Sequence, residues 1–213
     1  MNQLDYKRLV ALGYDKIGET YGRQATRYST NERAKYEASL VKGLEKGNLI
    51  LDLGCGSGIP TTRRLARKFK VTAVDISVKQ IERARVNVPD ASFICCDMMA
   101  LELPSSTFNG VGAFYSIMHL PRQEHRSIFR RITSWLKPGG LFVGSLGITN
   151  NEVELDSYWK GIPLFSSAYD TQTNQQIIEE AGLRIMSAAE EITTNKNNFE
   201  TFLWIIAQKP ENS

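Results

Sequence analysis

Apolar and polar positions change rhythm near residue 48. Before it, residues 1–47 read as helical and polar, with Tyr14, Tyr21 and Tyr28 among scattered charges. From Asn48 onward the apolar residues come in short runs closed by turn residues. Asn48–Leu53 (NLILDL) ends in a glycine cluster and predicts a buried strand. Pro60–Phe69 predicts a helix, with proline suited to its first turn. Lys70–Val74 is a second strand, and Ser77 can cap a helix that reaches Asn87. Ser92–Cys96 and Phe108–Tyr115 predict the third and fourth strands and Pro121–Leu136 a helix. Lys137–Gly140 (KPGG) predicts a turn, and Leu141–Leu146 the fifth strand. A polar stretch with aromatics follows, then a helix over Thr173–Ala181 ended by Gly182. Leu183–Ala189 and Phe199–Gln208, separated by the polar TTNKNN, predict an antiparallel pair. Strands alternating with helices imply an α/β fold, with a parallel sheet covered on both faces. No internal repeat or low-complexity tract interrupts the pattern.

Composition narrows the class. With 213 residues, the expectation is one domain with room for a sizeable core. Three cysteines, two of them adjacent (Cys95, Cys96), are too few for a disulfide framework and suggest a reducing, cytoplasmic setting. The first residues contain no long apolar run, so no secretory signal is expected. The longest charge-free stretch, Leu103–Pro121, is too polar for a membrane span. A net charge of +3 is too weak to argue for nucleic acid.

The strongest chemical signal is Asp52-Leu53-Gly54-Cys55-Gly56-Ser57-Gly58. Glycines directly after a strand allow a tight turn and a close approach to a ligand. In open α/β sheets the ligand lies beyond the carboxyl ends of the strands. Asp75 ends the second strand, where a carboxylate can accept both hydroxyls of a ribose. Ile59 stands where a dinucleotide fingerprint needs its third glycine. The carboxylate of Asp52 beside the loop would repel a pyrophosphate but suit an ammonium group. The pattern favours an amino-acid-bearing nucleoside over a dinucleotide.

LILDLGCGSG, VTAVDIS, ICCDMMAL, FNGVGAFYSIMH and LKPGGLFVGS, in that order, resemble the successive motifs of class I S-adenosylmethionine-dependent methyltransferases. The resemblance covers about residues 48–208 and is strongest to small single-domain members with a YSIxH-x-PR signature after strand four. It implies a Rossmann-like sheet of seven strands, mostly parallel, with the last strand antiparallel and helices on both faces. It implies S-adenosylmethionine as cofactor and S-adenosylhomocysteine as product. Residues 1–47 would form a helical lid on a methyltransferase domain of residues 48–213, the two making one globular unit.

The implied roles carry over residue by residue. Gly54, Cys55 and Gly56 would face the methionine part of the cofactor, and Asp52 would orient that loop and the ammonium group. Asp75 would bind the ribose and Ile76 would pack on the adenine. Asp97 would accept from the adenine amino group, Met98 would supply a backbone N–H, and Tyr115 would line the cleft toward the acceptor. Cys55 reads as a small loop residue and not as a nucleophile. In related small-molecule enzymes a lid Tyr or Arg meets the cofactor carboxylate, and Tyr21 and Arg27 are the candidates here.

Methyl transfer from a sulfonium is an in-line displacement that needs alignment and exclusion of water. A base is needed only for a nucleophile that is protonated near neutrality. His119, just past strand four, is the candidate base or acceptor-orienting group. His125 and Arg122 read as structural or solvated. Trp159, Phe165 and Tyr169 would give an apolar acceptor wall. The expected acceptor is a small molecule. No metal, nucleic acid or membrane is expected, and the expected assembly is a monomer or homodimer. The alternatives are a protein or nucleic-acid methyltransferase and a non-catalytic binder of the cofactor. The basic strings RRLARK and HRSIFRR fall on helices predicted to cover the sheet, where solvated charge is the default.

Overall fold

The computed structural model describes residues 3–18, 30–159, 161–195 and 198–211. Two helices, α1 (Gln3–Ile17) and α2 (Thr30–Gly43), lead into the alternating segment. That segment comprises β1 (Leu49–Leu53), α3 (Thr61–Ala66), β2 (Lys70–Asp75), α4 (Val78–Asn87), β3 (Ser92–Cys95), β4 (Phe108–Ala113), α5 (His125–Trp135) and β5 (Leu136–Leu146). A two-stranded hairpin, β6 (Glu154–Trp159) and β7 (Ile162–Ser166), follows. The chain closes with α6 (Thr171–Glu180), β8 (Arg184–Asn195) and β9 (Asn198–Gln208). Seven strands form one sheet in the order β3-β2-β1-β4-β5-β9-β8. The pairings from β3 to β5 are parallel, and β9 lies antiparallel between β5 and β8.

Alternation along each strand divides the apolar residues between two faces. Leu51, Val111, Phe142 and Ile205 join Ile128, Phe129 and Ile132 of α5 and Ile177 and Ile178 of α6 in one core. Ile50, Val143 and Trp204 join Tyr36 and Leu40 of α2, Leu65 of α3 and Ile81 of α4 in the other. The buried residues of α5 recur at helical spacing on one face (Ile128, Phe129, Ile132, Trp135), which fixes that helix against the sheet.

Two segments differ from the sequence expectation. The KPGG segment is part of β5, which begins at Leu136. The β4–β5 pairing shifts register there; Gly139 N donates to the Lys209 carbonyl and Lys209 N to the Gly140 carbonyl, which holds the irregular strand in place. The aromatic-bearing connection after β5 contains the β6–β7 hairpin, which packs on α1. A Cβ at Gly13 would lie 2.5 Å from Leu164 Cδ2, so the helix and β7 are in close contact. The basic strings are engaged within the chain. Arg64 pairs with Glu37, and Lys68 donates to the carbonyls of Val41 and Leu44. Arg126 pairs with Glu180, and Arg131 donates to the Leu101 carbonyl. Among the described residues no helix is long and apolar enough to cross a membrane.

Candidate active site

The turn after β1 is built by glycines at positive φ: Gly54 at 75°, Gly56 at 54° and Gly58 at 77°. Gly54 and Cys55 both donate to the Val74 carbonyl, which ties the turn to the end of β2. The turn also meets the loop after β4. Ser116 Oγ donates to the Leu53 carbonyl at 2.7 Å, and a Cβ at Gly54 would stand 2.2 Å from Ser116 Cβ. Only glycine fits there on both conformational and steric grounds.

Asp75 closes β2. Its Oδ2 accepts from Gly56 N and its Oδ1 from Ser77 N, each at 2.8 Å. Burial pushes its pKa up to about 6 against the pull of those bonds. Ser77 also caps α4 through Gln80 N, as expected from the sequence. Asp52 is 2% exposed and lies behind the glycine turn. It accepts from Thr62 Oγ1 at 2.6 Å, and burial pushes its pKa up to about 7. Cys55 is also buried, with its thiol toward the Gly56 carbonyl and its pKa raised by burial. Such a thiol is a poor nucleophile.

One cleft of about 610 Å³, counting its open mouth, opens beyond the carboxyl ends of these strands. Gly54, Gly56, Asp75, Ile76, Asp97, Met98, Tyr115 and His119 all line it. Asp52 and Cys55 support the turn from outside the lining. Tyr115 is held at φ 56°, a costly conformation for a non-glycine residue. Its N–H donates to Ser145 Oγ at 2.8 Å, and the Arg33 guanidinium lies 4.8 Å from its ring centre. Phe202 and Trp204 meet the same ring edge-on.

Three lining residues that sequence reasoning missed or left unassigned come from α1: Lys7, Val10 and Tyr14. Their spacing places them on one helix face, which was the available signal. Lys7 Nζ donates to Asp97 Oδ2 at 2.7 Å and to Glu124 Oε1 at 2.8 Å. Burial works to lower the Lys7 pKa, and the two carboxylates more than offset it, so the net direction is upward. The other Asp97 oxygen accepts from Met99 N. Val74, Cys96, Ser116 and Leu120 complete the lining.

His119 joins three elements. Its Nδ1 is 2.6 Å from the Phe165 carbonyl and its Nε2 is 2.8 Å from the Tyr14 hydroxyl. Burial lowers its pKa against the Phe165 bond, which favours the neutral ring. Phe165 is fully buried under Tyr6, with ring centres 4.2 Å apart, and only its carbonyl reaches toward the site through His119. Tyr169 packs between Arg122 and His125, away from the cleft. Phe165 packs the hairpin on α1 and Tyr169 packs against Arg122 and α5, and neither ring is among the residues lining the cleft. Trp159 ends β6, and its side chain lies outside what is described, as do Tyr21 and Arg27. His125 is 2% exposed and donates to the Leu120 carbonyl through Nε2. Burial lowers its pKa to about 4. It is structural and not solvated.

Residues 50–140 match a family described as a methyltransferase domain. That match, the relatives below and the fold support a class I S-adenosylmethionine-dependent methyltransferase. The chain is 32% identical over 162 residues to 27-O-demethylrifamycin SV methyltransferase of Amycolatopsis mediterranei, covering 69% of this chain and 58% of that protein. It is 36% identical over 106 residues to 2-methyl-6-phytyl-1,4-hydroquinone methyltransferase of Synechocystis, covering 47% of this chain and 32% of that protein. The chain thus spans less than two thirds of the length of these relatives. The crystal structure of Burkholderia thailandensis 1,6-didemethyltoxoflavin-N1-methyltransferase, with 1,6-didemethyltoxoflavin and S-adenosylhomocysteine bound, shares the fold at a TM-score of 0.75 and 18% identity. That match covers 99% of this chain and 91% of the other. S-adenosylmethionine is the cofactor of the family, and the residues present fit it: a glycine turn that a Cβ would fill, followed by a carboxylate at the end of β2 that faces the cleft.

Proposed function

We propose that the chain transfers a methyl group from S-adenosylmethionine to a small-molecule acceptor. One observation carries this reading. The glycine turn, Asp75, Asp97 and Met98 meet Tyr115 and His119 on a single cleft beyond the carboxyl ends of the strands. When bound, the cofactor supplies a methyl group already activated on a sulfonium. The backbone at Gly54 and Gly56 would receive its methionine part, with Asp52 bracing the turn from behind. Asp75 would take the ribose hydroxyls. Ile76 would pack on the adenine, with Asp97 and the Met98 N–H at its edge. Arg33, which is 5% exposed and carries a buried Nε without a partner among the described residues, joins Tyr21 and Arg27 as a candidate for the carboxylate. Tyr115 would separate the cofactor from the acceptor, and His119 would serve proton removal or orientation.

The lining supports a small acceptor. Val10, Ile76, Met98 and Leu120 make much of it apolar, and α1 forms one of its walls. The relatives named above are named for a rifamycin and a hydroquinone. Of the aromatics assigned to an acceptor wall, Trp159 keeps that proposed place, while Phe165 and Tyr169 act through packing. The three free cysteines fit a reducing, cytoplasmic setting.

The test uses purified protein, methyl-labelled S-adenosylmethionine and a cell extract split into small-molecule, protein and nucleic-acid fractions. Label in the small-molecule fraction is the expected result. Label in protein or nucleic acid overturns the acceptor class. Calorimetric titration with S-adenosylhomocysteine tests the cofactor site separately.

A further inference from the structure

The bonds at His119 leave little freedom in its protonation. A carbonyl oxygen only accepts, so Nδ1, 2.6 Å from the Phe165 carbonyl, carries the hydrogen. Burial keeps the ring neutral, so Nε2 holds a lone pair. The only hydrogen available along the 2.8 Å contact is then that of the Tyr14 hydroxyl, and Tyr14 donates to His119. The rings meet edge-on at 79°, with centres 5.3 Å apart, which is compatible with a hydroxyl aimed at the imidazole edge. The nitrogen that the sequence points to as a base is therefore already occupied. The oxygen occupying it belongs to a residue on the cleft wall.

We infer that Tyr14 is a catalytic residue and that the acceptor presents a hydroxyl to it. This rests on the methyl-transfer reading above. An acceptor hydroxyl seated in the cleft would donate to the Tyr14 oxygen, which gives its own hydrogen to Nε2. In the transfer step the acceptor oxygen forms its bond to the methyl carbon. The methyl–sulfur bond breaks, with its electron pair remaining on sulfur. The acceptor's hydroxyl proton passes to the Tyr14 oxygen, and Tyr14's own proton passes to His119 Nε2. The sulfonium charge thus ends as an imidazolium, which releases its proton to solvent. No other reactant is needed. A thiolate acceptor would have no proton to give and would make the pair redundant. The apolar lining from Val10, Met98 and Leu120 suits an aryl or alkyl body behind that hydroxyl.

The experiment compares wild type, Tyr14→Phe and His119→Asn with two acceptor probes of one shape, 2-naphthol and 2-thionaphthol, at a pH where only the thiol is ionised. Wild type is expected to methylate the naphthol. Both variants should lower that turnover by about 100-fold or more, the scale of general-base catalysis. Thionaphthol turnover and S-adenosylhomocysteine affinity should stay near wild type. An equal loss with both probes would show a merely structural contact and overturn the assignment, as would unchanged naphthol turnover or wild-type activity on the thiol alone. The second arm needs no turnover. With only two histidines in the chain, nitrogen NMR of histidine-labelled protein with S-adenosylhomocysteine resolves His119. The Nδ1–H tautomer is expected, with an Nε2 resonance that moves in Tyr14→Phe. The other tautomer, or an unmoved resonance, overturns the proposal. Failure of wild type to bind S-adenosylhomocysteine at all would instead sink the cofactor reading on which it rests.

Discussion

Asp52 and Asp75 end neighbouring parallel strands, and burial raises both carboxyls, to about 7 and about 6. An unfolded chain gives up such protons near pH 4. Between about pH 4 and pH 7 the unfolded state is therefore deprotonated at these positions while the folded state still holds protons. These two groups thus make stability fall as pH rises through that window. Asp52→Asn removes its share and can still accept from Thr62. The stability of the variant relative to wild type, read from urea midpoints, should be more favourable at pH 8 than at pH 5, and a pH-independent difference would contradict the burial argument. Asp75 has the additional task of facing the cleft. Asp75→Ala should weaken S-adenosylhomocysteine at least tenfold, as expected for a lost charge-assisted hydrogen bond of about 1.5–3 kcal/mol. Calorimetry measures this, and unchanged affinity would remove Asp75 from the ribose site.

At the scale of elements, α1 matters because its contacts reach so many others. Lys7 joins it to Asp97 and Glu124, Tyr14 to His119, Asp15 to Ser77 at the head of α4, and Tyr6 to Phe165. Asp15 also accepts from Lys79 N, which places a negative charge at a helix N-terminus, where the dipole favours it. Lys7 and its two partners are only 13–22% exposed. Lys7→Ala leaves two carboxylates close together and should cost about 1–2 kcal/mol, between the values for surface and buried pairs. Trypsin should then cut faster at the exposed Arg8 and Lys16, and an unchanged cleavage rate would show that α1 docks without this residue. The strand ends and the glycine turn were legible in the sequence because their signals are local: an apolar run, then glycines, then an acid. The α1 contacts were not, since Lys7 and Tyr14 meet partners 90–117 residues away. The β6–β7 hairpin was missed because its strands lie outside the main sheet and show no clean alternation. The KPGG segment was read as a turn because proline and glycine signal one locally, while the pairing that keeps it in β5 comes from Lys209 at the far end of the chain.

Across the whole molecule, the two cores stand in different relation to the cleft. Trp204 of β9 is fully buried, stacks on Tyr36 at 4.6 Å and meets the edge of Tyr115 at 5.5 Å. Phe129 is equally buried on the opposite face, against Phe142. Either residue replaced by alanine should cost about 3–5 kcal/mol of stability. Only Trp204→Ala should also weaken S-adenosylhomocysteine, because it removes the support of the strained Tyr115. Equal affinities in the two variants, at a temperature where both stay folded, would show that Tyr115 holds its conformation unaided. The helix that walls the cleft brings in time as well as affinity. A molecule seated beneath α1 shares the cleft with Lys7 and Tyr14, whose contacts hold that helix in place. Loosening them in Lys7→Ala should speed arrival and departure alike, as stopped-flow measurements with S-adenosylhomocysteine can show. Residence time in the cleft would then be governed by α1, whose hold on the site sets how fast one molecule is exchanged for the next.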